Sequence, residues 1–283
     1  LDLNKRSSTI SIGDLKVESK FDSESLRVEF DVQRDTTPYP NNASVRIYNL
    51  SPDHRESLTR AKEVTCQIEA GYEQTQQIFL GALRRGVNTS ESGQGRDYVT
   101  SFEAGDGEKE TQTATINKSY TKGTPISTVL NAFADALGVG KGNLTQHALA
   151  AKLTSGKTLP SALTISGPVV EEMSAFARSL ELSWSIQDGA LQILSIDQPS
   201  VPGSAVLLTP DTGLIEQPKL SVDKDTGKDV VVARSLLQPR LIPGALFRVD
   251  SETVTGSFAV RKSRHVGDTR GQSWYVDVEG IAP

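Results

Sequence analysis

The sequence predicts a β-rich α+β protein in which two antiparallel β segments flank an α+β middle segment. Apolar and polar residues alternate from residue 8 to about 104, the period of half-buried strands. Between about 109 and 197 the apolar spacing changes to that of amphipathic helices. Beyond the Pro-, Ser- and Gly-rich connector "DQPSVPGSA" the alternation returns. These changes divide the 283 residues into 1–108, 109–198 and 199–283, a length that holds two or three domains with cores of their own.

In the first segment, "LRVEFDVQRD" puts Leu26, Val28, Phe30 and Val32 on one face and Arg27, Glu29, Asp31 and Gln33 on the other. Further strands are expected at "ASVRIYNL", "EVTCQIEAGY", "QIFLGALRRGV" and "DYVTSFEAG", giving four or five strands of a small barrel or sandwich. One helix interrupts them at "NLSPDHRESLTRA". Ser51 fits its N-cap, Pro52 its first position, and Asp53 and Glu56 suit the positive end of the helix.

In the middle segment, Ile126, Val129, Leu130, Phe133 and Leu137 recur at helical spacing, opened by Thr124 and Pro125 and closed by Gly138. A shorter helix is expected from Asn143 through "NLTQHALAAKL". A third starts at Gly167 and Pro168, with Val169, Met173, Phe176, Ala177 and Leu180 as its apolar stripe. Asp188-Gly189 then joins two short strands, "LSWSI" and "ALQILSI", the strongest hairpin signal in the chain.

In the last segment, "QPKLSVDKDTGKDVVVARSLL" reads as one hairpin and "SFAVRKSRHVGDTRGQSWYVDVEG" as another. The second sets Phe258 and Val260 on one strand and Trp274, Val276 and Val278 on its partner. His265 and Asp268 fall where this hairpin reverses. Gly267, Asp268 and Gly271 tolerate turn conformations, so Asp268 is expected to bind turn N–H groups and His265 to be a strand-end side chain. A catalytic pair would need a third group and a cleft, and no serine elbow or Cys–His pair joins these two.

Composition excludes several classes of function. Hydrophobic residues are 36% and charged residues 23%, outside the disordered range, and no apolar run approaches the ~20 residues of a membrane helix. No charged n-region with an apolar h-region opens the sequence, which begins at Leu1 rather than methionine. The net charge of −5, without a block of Lys or Arg, argues against a grip on nucleic acid. Cys66 is the one cysteine and alternates as a strand position, so it reads as a buried thiol. His54, His147 and His265 show no metal-ligand spacing. Asp223, Asp225 and Asp229 are spaced like a calcium loop, but Gly227 comes one position early and the final Glu is missing, which favours a hairpin turn. "GVGKGN" is too short for a phosphate-binding loop. Asp106, Glu108 and Glu110 read as a solvated domain junction. Trp184 and Trp274 alternate with strand neighbours in apolar hairpins and are expected in cores. The residues thus suggest no catalytic, cofactor or metal site.

The stretches "RVEFDVQRDTTPYPNNASVRIYNLSPDHRESL", "IEAGY" followed by "IFLGALRR", "FEAGDGEKE", "GTPISTVLNAFADALG", "SLELSWSIQDGALQIL", "LLTPDTGLIEQPKL" and "RHVGDTRGQSWYVDVEG" resemble, in order, successive regions of the baseplate hub proteins of contractile-tailed bacteriophages, prophages and phage-tail-like particles. The resemblance covers nearly the whole chain. It implies a structural virion component of the tail baseplate, made in the host cytoplasm, and not an enzyme. Two tube-like antiparallel β-barrel domains per chain, residues 1–108 and 199–283, would give a homotrimer six barrels in a ring. That ring would join the tail tube, or a distal tube protein above, to the central spike below. Other baseplate proteins and the tape measure protein are further implied partners. DNA would pass through the lumen without specific binding, and no membrane or cofactor is implied. The rivals are a tail-associated peptidoglycan hydrolase, marked by paired carboxylates or zinc in a cleft, and a cell-surface carbohydrate-binding module, in which Trp184, Trp274 and several Tyr would stack on sugars.

Overall fold

Val28, Phe30 and Val32 are all buried, as their alternation requires, and they lie on one face of a strand that joins the two ends of the sequence. The computed structural model describes residues 5–22, 24–61, 64–84, 87–91, 97–146, 156–195, 204–224 and 227–283. Leu1–Asp35, Asn41–Gly105 and Val201–Pro283 form one compact unit, and Thr36–Pro40 with Asp106–Ser200 form another.

The first unit begins with β1 (Arg6–Ile12), β2 (Leu15–Lys20), β3 (Val28–Asp35), β4 (Asn41–Tyr48) and α1 (Pro52–Arg60), followed by β5 (Thr65–Tyr72), β6 (Gln74–Leu83), β7 (Asn88–Glu91) and β8 (Tyr98–Asp106). Sequence patterning suggests four or five strands here. It misses β1, β2 and β7, although Ile10 and Ile12 alternate into the core of a strand otherwise made of Arg and Ser/Thr. Ser51 caps α1 by accepting from the His54 N–H, with Pro52 at the first position.

The second unit runs α2 (Glu108–Thr113), β9 (Thr115–Tyr120), α3 (Ile126–Leu137), α4 (Asn143–Gln146), β10 (Leu163–Pro168), α5 (Val169–Ser179), β11 (Leu182–Gln187) and β12 (Ala190–Ser195). Its core packs Ile126, Val129, Leu130 and Phe133 of α3 with Val169, Met173 and Ala177 of α5 and Trp184 of β11. Gly138 ends α3 in the left-handed conformation, φ 73°. Gly167 and Pro168, expected to open a helix, instead finish β10, and Pro168 is the residue at which strand becomes helix. The β9–β10 ladder and α2 have no strong period and escape sequence patterning. Most of the helix expected through "HALAAKL" lies outside the described residues.

The first unit resumes with β13 (Val206–Leu208), a 3-10 turn at Pro210–Thr212, β14 (Lys219–Val222), β15 (Asp229–Leu236), β16 (Leu246–Asp250), β17 (Thr255–Asp268) and β18 (Trp274–Ile281). Both expected hairpins form, β14 with β15 and β17 with β18. β13 pairs parallel with β16, which patterning alone does not reveal. The strands of the two β segments are hydrogen-bonded into one sheet, in the order β14-β15-β18-β17-β3-β4-β8-β6-β5-β1-β2. The join is β17 against β3, with Lys262 opposite Asp35, His265 opposite Val32 and Gly267 opposite Phe30. Among the described residues this path is open, with β14 and β2 at its ends, and no closed barrel forms. The fold is therefore β-rich α+β.

Trp274 lies close to this join. It is 2% exposed and makes edge contacts with Phe30, centroids 5.4 Å apart, and Tyr72, 6.5 Å apart. Truncation to Ala is expected to cost roughly 3–5 kcal/mol through lost burial and a residual cavity. Urea unfolding measures this, and a loss below about 1 kcal/mol would contradict the packing.

Candidate functional site

The sequence singles out the stretch around His265 and Asp268; the structure keeps Asp268 in its expected contact with the turn backbone, adds a distant partner to it, and moves His265 from the expected strand end into the interior. β17 does not end at His265: the strand runs on through Asp268, and the reversal occupies residues 269–273. His265 is 0% exposed, between Val32 on β3 and Val276 on β18. Its Nε2 lies 3.2 Å from the Gln238 carbonyl oxygen. Burial, with the Arg34 charge adding to it and the Gln238 contact opposing it, lowers its pKa from 6.5 to about 4. A neutral, interior imidazole is the result.

Asp268 does accept from the turn backbone, taking the Arg270 N–H at 3.0 Å. Its larger partner lies 241 residues away: Arg27 Nε and Nη2 donate to the two carboxylate oxygens at 3.1 and 2.6 Å. Burial pushes this carboxyl up, and the hydrogen bonds from Arg27 and from the Arg270 and Gly271 backbone overcome it, leaving the pKa below the ordinary value. The same guanidinium reaches Glu29 at 2.7 Å and lies over the Tyr48 ring, while the Tyr48 hydroxyl donates to Glu29 at 2.8 Å. Tyr48 and Arg27 could not have been paired with Asp268 from sequence, because only the β17–β3 register brings them together.

Glycine has a different purpose here from the one its turn propensity suggests. Gly267 lies in extended strand, and a Cβ there would meet the Phe30 ring at 2.1 Å. At Gly271 a Cβ would meet the Asp268 carboxylate at 2.1 Å. Both glycines let another group approach the backbone closely. Thr269, 0% exposed, completes the attachment: its hydroxyl accepts from the Val28 N–H at 3.0 Å and lies 2.9 Å from Ser19 Oγ, and its own N–H donates to the Val28 carbonyl at 3.0 Å. Arg6 donates to the Gly271 carbonyl at 2.9 Å, and Arg270 to that of Ser25. The hairpin tip is a clamp on the N-terminal strands. As chemistry, it holds a carboxylate whose lone pairs are committed to Arg27 and turn amides, and an imidazole that faces a carbonyl. The pair is not arranged as base and orienter.

The other predicted positions sort similarly. Cys66 is buried in β5, and burial alone pushes its thiol up to about 12, so it behaves as a small apolar side chain. Asp223 receives Arg261 at 2.7 Å at the β14–β15 turn, while Asp225 lies outside the described residues. His54 is exposed on α1, and His147 also lies outside the described residues. Trp184 and Trp274 are 1% and 2% exposed, in cores as expected. Among the described residues no group of three His, Cys, Asp or Glu is placed to hold a metal.

Asp106 corrects the reading of "GDGEKE". It is 3% exposed, not solvated, and its two oxygens accept from the Asp188 and Gly189 N–H groups at 2.6 and 3.0 Å. Asp188 and Gly189, with φ of 55° and 73°, form the tight β11–β12 turn, and the carboxylate holds the two amides that this turn leaves pointing inward. The sequence signal was the Asp-Gly pair itself, whose inward-facing amides call for an acceptor.

Three outcomes are expected from this geometry. Asp268→Ala should cost about 2 kcal/mol, more than loss of a turn cap alone, because it also leaves Arg27 without its bidentate partner. A double-mutant cycle with Arg27→Met should show coupling, and strict additivity would contradict the clamp. Asp106→Ala should cost about 2 kcal/mol in the second unit, read from its own unfolding transition; an unchanged transition would sink this role. For His265 the folded pKa lies below the unfolded value, so the unfolded chain binds the extra proton. Stability is then full above about pH 6.5 and declines as pH falls toward 4, by up to about 3 kcal/mol. Urea midpoints from pH 7 to 4.5 should show this slope, and His265→Gln should lack it.

No protein-family model and no curated protein matches the sequence. Solved structures do match. The tail protein from Neisseria meningitidis MC58 aligns at a TM-score of 0.63 and 10% identity, over 98% of this chain and 96% of that one. The 43 kDa tail protein of prophage MuSo2 from Shewanella oneidensis aligns at 0.65 and 8% identity, over 98% of each. The E. coli c3393 protein aligns at 0.60 and 9% identity, over 97% of this chain and 76% of that one. It is described as a component of the type VI secretion system with structural similarity to the T4 bacteriophage tail proteins gp27 and gp5. At such identities the likeness is one of fold, and the chain has the fold of these phage tail proteins, in line with its sequence resemblance.

Proposed function

We propose that this protein is a non-enzymatic hub of a contractile phage tail baseplate. The observation that carries this reading is the agreement in fold with two phage tail proteins over nearly the full length of both chains. In this reading the chain assembles as a homotrimer, and its two β segments supply six tube-like units around a central channel. The threefold ring joins the sixfold tail tube, or a distal tube protein, to the central spike. Other baseplate proteins and the tape measure protein would contact it, and DNA would traverse the channel without specific binding. Three lines support a structural part over a hydrolase or sugar-binding module: Asp268 is committed to Arg27, His265 is buried without a carboxylate beside it, and both tryptophans are in cores. Among the described residues no helix is long and apolar enough to cross a membrane.

The test is the mass of the purified chain by light scattering, with electron microscopy of the same sample. Three copies in a ring of sixfold appearance are expected. An even-numbered assembly, or release of muropeptides from peptidoglycan above a heat-killed control, would contradict the reading.

A further inference from the structure

The first unit is one sheet with two apolar cores. The N-terminal strands pack around Val32, Ile47 and Ile68 and the C-terminal strands around Phe247, Val260 and Val276, and among the described residues the two clusters share no member. Leu237 and Trp274 are the C-terminal side chains that reach into the N-terminal cluster. Between the cores runs the inner side of the β17–β3 pairing, where Ser263 stands opposite Arg34 and His265 opposite Val32, all four buried. The seam is therefore polar while its flanks are apolar. Such a line, poor in apolar contacts, is where a fold parts with least loss.

His265 can change its charge within this seam. Its Nε2–H donates to the Gln238 carbonyl at 3.2 Å, and its buried Nδ1 has no hydrogen-bond partner among the described residues. Arg34 donates to the Ile78 carbonyl at 2.9 Å, and its charge acts on the ring. The carboxylates of the surrounding strands alternate to the outer face: Glu29, Asp31 and Asp35 on β3, Asp277 and Glu279 on β18, and Asp268 at the end of β17. There they meet cations, with Asp31 bound by Arg264, Glu279 by Lys262 and Asp268 by Arg27, while Arg261 at the bulge binds Asp223. Tyr275 alternates outward as well, and neither residues 237–239 nor β6 contributes a titratable side chain. A proton on His265 thus sets a second cation near Arg34 and creates an Nδ1–H without an acceptor. Both are costly inside a fold and are relieved by water.

We propose that the β17–β3 seam is an acid-operated hinge, opened by a proton on His265 while the cores on either side stay folded. Burial holds the ring near a pKa of about 4, against 6.5 in water, so the closed seam excludes the proton and the open seam accepts it. The seam is therefore shut above about pH 6.5 and opens progressively as pH falls toward 4. Asp268, held below the ordinary carboxylate value, stays ionised over that range and is not the trigger. At neutral pH the sheet opens only as a whole. The hinge stands independently of the hub reading.

Native-state thiol labelling tests the hinge. Ser263→Cys places a thiol in the seam, at a hydroxyl that has no partner among the described residues, and Cys66, buried in the N-terminal core, is the internal control. Labelling by dithiodipyridine, a disulfide that reacts with thiols in acid, is followed at each site by peptide mass spectrometry. Each rate is divided by that of the urea-unfolded chain at the same pH. From pH 7 to 4.5 opening at the seam should rise about 50-fold, the ratio for one proton bound near pH 4 when closed and near 6.5 when open. Cys66 should stay protected throughout, and adding His265→Gln should flatten the rise. A seam thiol with no pH-dependent rise overturns the hinge, and so does equal exposure of Cys66, which would mean that the whole unit unfolds. A full rise that persists in His265→Gln overturns the role of His265. The profile of Ser263→Cys alone decides the first two outcomes, whether or not the double variant folds.

Discussion

The antiparallel pairing of β17 with β3 is the constraint on which the first unit depends. It binds residues 262–268 to 29–35, more than 200 positions apart, and every strand on the β14 side of the sheet reaches the N-terminal strands through it. Closing so long a loop costs entropy that the contact itself must offset. Several groups act together there. The Phe30 ring fills the space a side chain at Gly267 would take, Trp274 packs on that ring, Arg264 reaches Asp31 at 3.0 Å, and the Arg27–Asp268 pair fixes the end of the ladder.

That join also explains why the most conspicuous polar residues are not arranged as a catalytic pair. A turn at the tip of a free hairpin would leave His265 and Asp268 at the surface, available to a substrate. The clamp instead presses the tip onto β2 and β3, seals His265 among Val32 and Val276, and occupies the Asp268 oxygens. Thr269 extends the pairing one step past the strand end through Val28. The same device appears at smaller scale in the second unit, where Asp106 binds the amides of the Asp188-Gly189 turn and Asn143 exchanges two hydrogen bonds with the Ile193 backbone at 2.6 and 2.9 Å. Buried side chains satisfy backbone groups that sheet and helix leave over.

Local features were legible in the sequence because their causes are local. The alternation of Val28, Phe30 and Val32, the Ser51–Pro52 helix start, the Gly138 stop and the Asp188-Gly189 turn each follow from a few adjacent residues. The two tryptophans were placed in cores by their strand neighbours. What escaped depends on distant partners. The single sheet could not be read, since the β segments show no mutual similarity and pairing register has no local signature. The ladder of β9 and β10 lacks strict alternation, with Ile116 and Ile165 alone buried among its side chains. Gly267 looked like a turn residue because propensity records what glycine tolerates, not which ring lies over it. The acidic cluster at the end of β8 looked solvated because charge is ordinarily exposed, and only the β11–β12 turn explains a buried Asp106. The two β-barrel domains came from family resemblance; among the described residues no closed barrel forms, and the agreement in fold with phage tail proteins is consistent with the β-rich fold alone.

The central claim is that both β segments are one cooperative sheet held at β3 and β17. Native-state hydrogen exchange followed by mass spectrometry tests it most directly, since strands that open together share one free energy of opening. Amides of residues 28–35 and 262–268 should lose protection together, with the same dependence on denaturant, when the unit unfolds. Loss of protection across 255–281 while 28–48 stays protected would contradict it, because the two segments would then be separate folding units that merely touch.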